Sequence, residues 1–268
     1  MFLNAKNGTV ALPHGTMPYL AFGAGSPPLV LLPGIGLGLQ SIKGMALPFA
    51  LMYRVFAKEF RVYVFDHVHP MPAGHTTRQM AADLAAAMEQ LGLRQAVAVG
   101  VSHGGMVAQW LAADHPEQVG RLVLAVTCAC PNPVLRQSIA VWSELARRQD
   151  YGELMRDTGQ RMYTDAYLRR AGWLLPLTGR LTAPKSPDRF LTMADSCLSH
   201  DATAALSGIA CPALVLGGEQ DKALSGDASR QLAALLPHAQ LVMYEQYGHS
   251  LYEEAPDFNA RVLQFARG

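Results

Sequence analysis

The chain has 268 residues, of which half are apolar and 16% are charged; this excludes a disordered protein and allows a sizeable buried core. Its 22 Lys and Arg residues against 21 Asp and Glu give a formal charge of +1, too balanced for the basic surface that binds nucleic acid. Residues 7–42 contain no Asp, Glu, Lys or Arg, but the many Gly and Pro residues there argue against a membrane span.

The cysteines and the N-terminal residues indicate a compartment. The N-terminus lacks the basic region, apolar run and small-residue cleavage site of an export signal. Cys128, Cys130, Cys197 and Cys211 have neither the spacing of a disulfide framework nor that of a zinc site. We therefore expect reduced thiols and a cytoplasmic protein.

In chain order, the first predicted element is an antiparallel hairpin over residues 9–22, where Gly and Pro interrupt a β-rich stretch. Short β-rich apolar runs then alternate with helical patterns. These runs cover residues 29–32, 61–65, 96–100, 121–126, 213–216 and 241–244. The alternation is typical of an α/β protein with a mostly parallel sheet and helices on both of its faces.

A helix is predicted to open at Thr76 and to end at Gly92, a residue type common at helix C-termini. Its apolar side chains fall on one stripe, which consists of Met80, Leu84, Ala87, Met88 and Leu91.

The alternation stops over residues 131–207, which resemble several short helices without a clear strand. Some seventy residues are too many for a loop between two strands, so we expect an inserted helical layer. The predicted organisation is a core of residues 1–130 and 208–268 with a helical insertion at 131–207. Most apolar residues there should be helix packing, while Trp142 and Trp173 are candidates for a substrate pocket.

The sequence Gly100-Val101-Ser102-His103-Gly104 matches Gly-x-Ser-x-Gly. The pattern alone is weak, but here a buried-strand run precedes it and a helical pattern follows. A sharp turn between strand and helix lifts the serine above the sheet, and flanking glycines let the two backbones approach. This context predicts that Ser102 is a nucleophile.

These motifs, with the helix after Ser102 and the following His115-Pro116-Glu117, resemble the α/β-hydrolase superfamily, specifically its capped serine hydrolases and esterases. The resemblance extends over nearly the whole chain and is weakest in the insertion, which corresponds to the family's variable cap. It implies an α/β-hydrolase fold, a mostly parallel sheet with helices on both faces and an inserted helical cap.

An acyl-transfer serine needs hydrogen-bond donors for the oxygen that becomes negative. The amide of His103, at the start of the helix, is one candidate. By its match to the family's His-Gly-x-Gly loop, the segment Pro33-Gly34-Ile35-Gly36 supplies the second donor from Ile35. Pro33 stands where the family commonly has histidine.

The resemblance also indicates a base and an acid. His249 follows the last strand, where the family keeps its base, and Asp221 matches the family's Gly-x-x-Asp in the chain order Ser, Asp, His. Glu219, two residues earlier, is the rival acid.

His67, His69 and His75 follow the strand at 61–65 but lack the Cys or paired carboxylates that would favour a metal. Serine chemistry needs no cation either, so we expect no metal. No phosphate-binding loop is present, which disfavours nucleotide binding, and we expect no cofactor.

The implied function is hydrolysis of an ester or similar acyl bond of a small, largely uncharged substrate. The sequence leaves open cleavage of carbon–carbon bonds in diketones, lactone hydrolysis, peracid formation and a non-catalytic ligand receptor. It also leaves the oligomeric state open.

Overall fold

Eight strands form one sheet at the centre of the structure, a computed structural model that describes residues 2–268. In chain order the strands are β1 (Lys6–Leu12), β2 (Gly15–Phe22), β3 (Pro28–Leu32), β4 (Arg61–Phe65), β5 (Ala96–Val101), β6 (Val119–Ala125), β7 (Ala213–Gly218) and β8 (Ala239–Tyr244). Their order across the sheet is β1-β2-β4-β3-β5-β6-β7-β8.

The pairing of the strands confirms the predicted fold class. β1 and β2 form the antiparallel hairpin, and β2 pairs antiparallel with β4. All later pairs, from β4 through β8, are parallel. The central strand β5 is buried along its whole length, which explains why it is a continuous apolar run rather than an alternating one.

Helices cover the sheet and follow most of its strands. They are α1 (Ala46–Met52), α2 (Thr77–Gln90), α3 (His103–Asp114), α4 (Pro133–Arg147), α5 (Tyr151–Met162), α6 (Asp165–Ala171), α7 (Leu175–Leu181), α8 (Asp188–Ser199), α9 (Thr203–Leu206), α10 (Gly226–Leu235), α11 (Leu251–Glu254) and α12 (Phe258–Arg267). Within residues 2–268, none of these helices combines the length and the apolar character that crossing a bilayer requires.

Helix α2 begins and ends where the sequence predicts. Thr76 caps it in a reciprocal arrangement, in which the Thr76 Oγ1 accepts the Gln79 amide and the Gln79 side chain accepts the Thr76 amide. Beyond its last turn, Gly92 adopts a φ of +67°, the left-handed conformation that glycine tolerates best.

Helices α4 to α9 follow one another between β6 and β7, and no strand interrupts them in the described residues. Trp142 of α4, Leu154 of α5 and Phe190 of α8 line a cavity that also contains Ser102. This helical layer therefore covers the edge of the sheet where the parallel strands end.

Candidate active site

Ser102 lies in a strained turn between β5 and α3. Its backbone φ of 53° and ψ of −120° are a conformation that residues with a side chain rarely adopt. The turn is fixed on both sides, because the Ser102 amide donates to the Ala125 carbonyl at 2.9 Å and Thr127 Oγ1 donates to the Ser102 carbonyl at 2.8 Å. The serine hydroxyl thereby faces the cavity above the sheet.

Two glycines make this turn possible. A Cβ atom on Gly100 would lie 2.6 Å from the Gly104 carbonyl oxygen, and a Cβ atom on Gly104 would lie 2.0 Å from the Leu32 carbonyl oxygen. Both distances are far below van der Waals contact, so no other residue fits without moving backbone.

Ser102, His249 and Asp221 form a continuous chain of hydrogen-bonding contacts. His249 Nε2 lies 2.9 Å from Ser102 Oγ, and His249 Nδ1 lies 2.8 Å from Asp221 Oδ2. The other Asp221 oxygen accepts the amides of Ala223 at 2.8 Å and Leu224 at 3.0 Å. An ionised carboxylate only accepts hydrogen bonds, so the proton of a neutral His249 lies on Nδ1 and leaves Nε2 free to accept from the serine.

The rival carboxylate, Glu219, points elsewhere. It forms an ion pair with Arg230 on α10 and, unlike Asp221, makes no contact with His249 in the described part of the chain. Of the two acids in this loop, the structure brings Asp221 to the histidine.

Ile35 and His103, whose amides are the candidate donors, each lie at the start of a helical turn. Ile35 opens a short 3₁₀ turn after β3, and His103 opens α3. Within residues 2–268 neither amide has an acceptor. The loop before Ile35 lies against the serine, because a Cβ atom on Gly34 would be 3.4 Å from Ser102 Cβ.

The side chain of His103 has a role that the sequence did not reveal. It is buried, and its Nε2 lies 3.0 Å from Ser196 Oγ on α8, which joins the turn after Ser102 to the helical layer. The His67 ring packs edge-on against it, with ring centroids 5.3 Å apart. Burial holds the pKa of His103 well below its ordinary value and lowers the pKa of His67 to about 4, so both rings are neutral.

A cavity of about 360 Å³ lies above Ser102. Most of its walls are apolar, and they include Leu37, Phe49, Met52, Trp142, Leu154, Met155, Leu175 and Phe190. Trp142 lies in this wall, where its Nε1 donates to Asp157 at 2.8 Å. Trp173 does not line the cavity: it is 70% exposed on a short 3₁₀ turn before α7, so its candidacy as a pocket residue was wrong.

Tyr163 and Glu253 form a polar part of the cavity wall. Tyr163 Oη donates to Glu253 Oε2 at 2.6 Å. The residue as a whole is exposed, but partial desolvation of its carboxyl raises the pKa of Glu253 above its ordinary value, and the hydrogen bond from Tyr163 opposes the shift.

The three histidines after β4 do not gather at one point. His67 contacts His103, His69 Nε2 lies 3.4 Å from Asp66 Oδ2, and His75 Nε2 lies 2.8 Å from Asp83 Oδ2. They separate because each packs against a different element of the fold.

Comparisons with known proteins agree with this architecture. Residues 27–256 match a family model described as alpha/beta hydrolase fold. A curated relative, "Putative carbamate hydrolase RutD" of Caulobacter sp. (strain K31), is 32% identical over 227 residues, which cover 78% of this chain and 81% of that protein. The chain therefore belongs to the α/β hydrolase family and is a hydrolase.

Two solved structures share the fold over almost their whole length. MGS-M2, an alpha/beta hydrolase enzyme from a Medee basin deep-sea metagenome library, has a TM-score of 0.84 at 24% identity and covers 97% of this chain and 98% of its own. The enol-lactonase from Burkholderia xenovorans LB400 has a TM-score of 0.81 at 23% identity, with 97% and 100% covered.

Proposed function

We propose that this hydrolase cleaves an ester or similar acyl bond of a small, largely uncharged substrate through an acyl-Ser102 intermediate. The observation that carries the proposal is the chain of contacts from Ser102 Oγ through His249 to Asp221, which opens into the cavity. A serine hydroxyl is a poor nucleophile at neutral pH, and an imidazole at 2.9 Å can accept its proton as it attacks.

In the proposed reaction, Ser102 Oγ attacks the substrate carbonyl carbon while His249 Nε2 takes the hydroxyl proton. The carbonyl oxygen becomes negative and accepts hydrogen bonds from the amides of Ile35 and His103. As the bond to the leaving group breaks, His249 returns the proton to it. Water then repeats the sequence on the acyl-serine, which releases the acid and restores Ser102.

Asp221 acts through the histidine. Its carboxylate holds the proton on His249 Nδ1 and stabilises the imidazolium that forms during each attack. Its own position is fixed by the backbone amides of Ala223 and Leu224, so little freedom is lost when it orients the ring. This mechanism needs no cofactor and no metal.

We assign residues 131–207 as a cap over a core formed by residues 1–130 and 208–268. The cavity between them has a volume typical of small-molecule sites, which range from about 300 to about 1,000 Å³. Its largely apolar wall, with Trp142 on the cap side, favours a substrate that is small and largely uncharged. The four free cysteines suit a reducing cytoplasm, where we place the protein.

Several acyl bonds fit the same attack. Esters, lactones and carbamates each join a carbonyl carbon to a leaving group. One curated relative is named "Putative carbamate hydrolase RutD", and one solved structure with the same fold is an enol-lactonase. A diketone hydrolase, a perhydrolase and a receptor that binds without turnover could share this fold and these residues.

The experiment is a turnover screen over esters of increasing chain length, lactones, carbamates and diketones, each with and without hydrogen peroxide. Ser102→Ala is the matched control, because the change removes one oxygen and leaves the turn intact. We expect hydrolysis of at least one acyl class by the wild-type protein and a loss of about 10⁴-fold or more in the variant. A folded Ser102→Ala protein that hydrolyses at a near-normal rate would contradict the proposal.

A further inference from the structure

Three metal-ligating side chains meet where the β1–β2 hairpin packs against α2. His14 lies in the turn between the two strands, His75 lies just before α2, and Asp83 lies within that helix. His14 Nε2 is 3.1 Å from Asp83 Oδ1, and His75 Nε2 is 2.8 Å from Asp83 Oδ2. One ligand atom from each of the three residues lies within 4.8 Å of the other two.

Asp83 pairs with two histidines rather than with a Lys or Arg residue. Its side chain is only 11% exposed, and in the described part of the chain no Lys or Arg nitrogen lies within 4.0 Å of it. A carboxylate withdrawn from water is stable only with a cation or with several hydrogen bonds. Within residues 2–268 its side-chain hydrogen-bond partners are these two imidazoles.

We propose that His14 Nε2, His75 Nε2 and Asp83 bind one Zn²⁺ ion at this junction. Zinc takes two imidazole nitrogens and a carboxylate oxygen at about 2.0–2.2 Å in tetrahedral geometry, which separates its ligand atoms by roughly 3.3 Å. Measured to one oxygen, Asp83 Oδ2, the Nε2 atoms of His14 and His75 lie at 3.2 and 2.8 Å, which is near this value. The side chain of His14 is 41% exposed, so water has access to the fourth position.

The chemistry of the ligands also selects among cations. Imidazole nitrogen suits Zn²⁺ and its first-row neighbours, whereas Mg²⁺ and Ca²⁺ take oxygen ligands almost exclusively. Two of the three ligands here are nitrogen, so Mg²⁺ and Ca²⁺ should not compete.

A zinc ion at this point would fasten the edge of the sheet to α2. A hydrogen bond from Gln90 Nε2 to the Ala11 carbonyl at 2.9 Å also joins these elements. Because the three ligands come from separate elements, the unfolded chain does not hold them together, and zinc binds the folded state preferentially. The site is therefore structural and separate from the proposed reaction.

The first test is zinc binding to chelator-stripped protein, measured by isothermal titration calorimetry and by metal analysis after dialysis. His249 could bind zinc too, so the titration is repeated in His249→Ala, where we expect a stoichiometry of one to persist. Loss of an outer-shell partner alone weakens metal sites about 10–100-fold, so His14→Ala should weaken zinc binding by about 100-fold or more. His238→Ala, at an exposed histidine elsewhere, is the control and should leave the affinity unchanged.

The second test is thermal unfolding. At zinc concentrations about a hundred times the dissociation constant, the melting temperature should rise on the order of 5–10 °C in wild type and in His238→Ala. Neither His14→Ala nor Asp83→Asn should show this rise, and Mg²⁺ should produce none in any variant. Absence of saturable zinc binding, or binding that His14→Ala and Asp83→Asn leave unchanged, would overturn the proposal.

Discussion

Acidification should destabilise this protein through three buried histidines. His67, His103 and His200 are all buried, and burial lowers the pKa of His67 and of His200 to about 4 and holds that of His103 well below its ordinary value. The folded state therefore keeps these rings neutral at a pH where the unfolded chain protonates them.

The sign and size of the effect follow from this difference. The unfolded histidine pKa is about 6.5, so the unfolded state binds more protons below that value and stability falls as the pH falls. At about pH 5.5 each of the three histidines costs about 1.4 kcal/mol relative to about pH 7.5, or about 4 kcal/mol in total. That is a large share of the roughly 5–15 kcal/mol that stabilises a typical protein.

The assay is urea unfolding followed by circular dichroism at several values between about pH 7.5 and about pH 5.5. His200 contacts Thr77 Oγ1 at 2.9 Å, and His200→Gln retains a polar group there while removing one titration. This variant should lose about a third of the pH effect, whereas His238→Gln at an exposed site should lose none. Stability that stays flat over this range in wild type, or an unchanged slope in His200→Gln, would refute the reasoning.

Asp221→Asn should lower kcat by on the order of 10⁴ because it favours the wrong histidine tautomer, whereas Glu219→Gln should lower kcat by less than about tenfold. Steady-state kinetics on folded variants measure both values, and the reverse ranking would contradict the assignment of Asp221. Trp142→Ala should change the relative rates among esters of different chain length, while the exposed Trp173→Ala should leave them unchanged. Unchanged relative rates in both variants would show that neither tryptophan lines the pocket. Gly104→Ala would place a Cβ atom 2.0 Å from a backbone carbonyl oxygen and should destabilise the folded protein by several kcal/mol. A melting temperature equal to that of the wild type would contradict this expectation.

The elements that the sequence predicts well are those with local signals. Thr76 and Gln79 cap the start of α2, and Gly92 follows its end. The turn at Ser102 follows from a buried-strand run, two glycines and a helical pattern, all within a few residues of each other.

Local signals do not predict features that depend on which elements meet in space. His14 is distant in sequence from His75 and Asp83, so no local spacing indicates that these three residues meet. Trp173 lies in a short turn whose apolar residues are largely exposed, where periodicity does not reveal which side faces inward. The Tyr163–Glu253 contact joins α5's end to α11 across ninety residues and has no local signature.

Reaction with a fluorophosphonate probe tests most directly whether Ser102 is an activated nucleophile, because the probe phosphonylates serines that an adjacent base has activated. Intact mass spectrometry should show one adduct per chain, and peptide mapping should place it on Ser102. Folded Ser102→Ala should show no adduct, and His249→Ala should react far more slowly than wild type. A wild-type protein that remains unlabelled, or an adduct on another residue that persists in Ser102→Ala, would contradict the proposed mechanism.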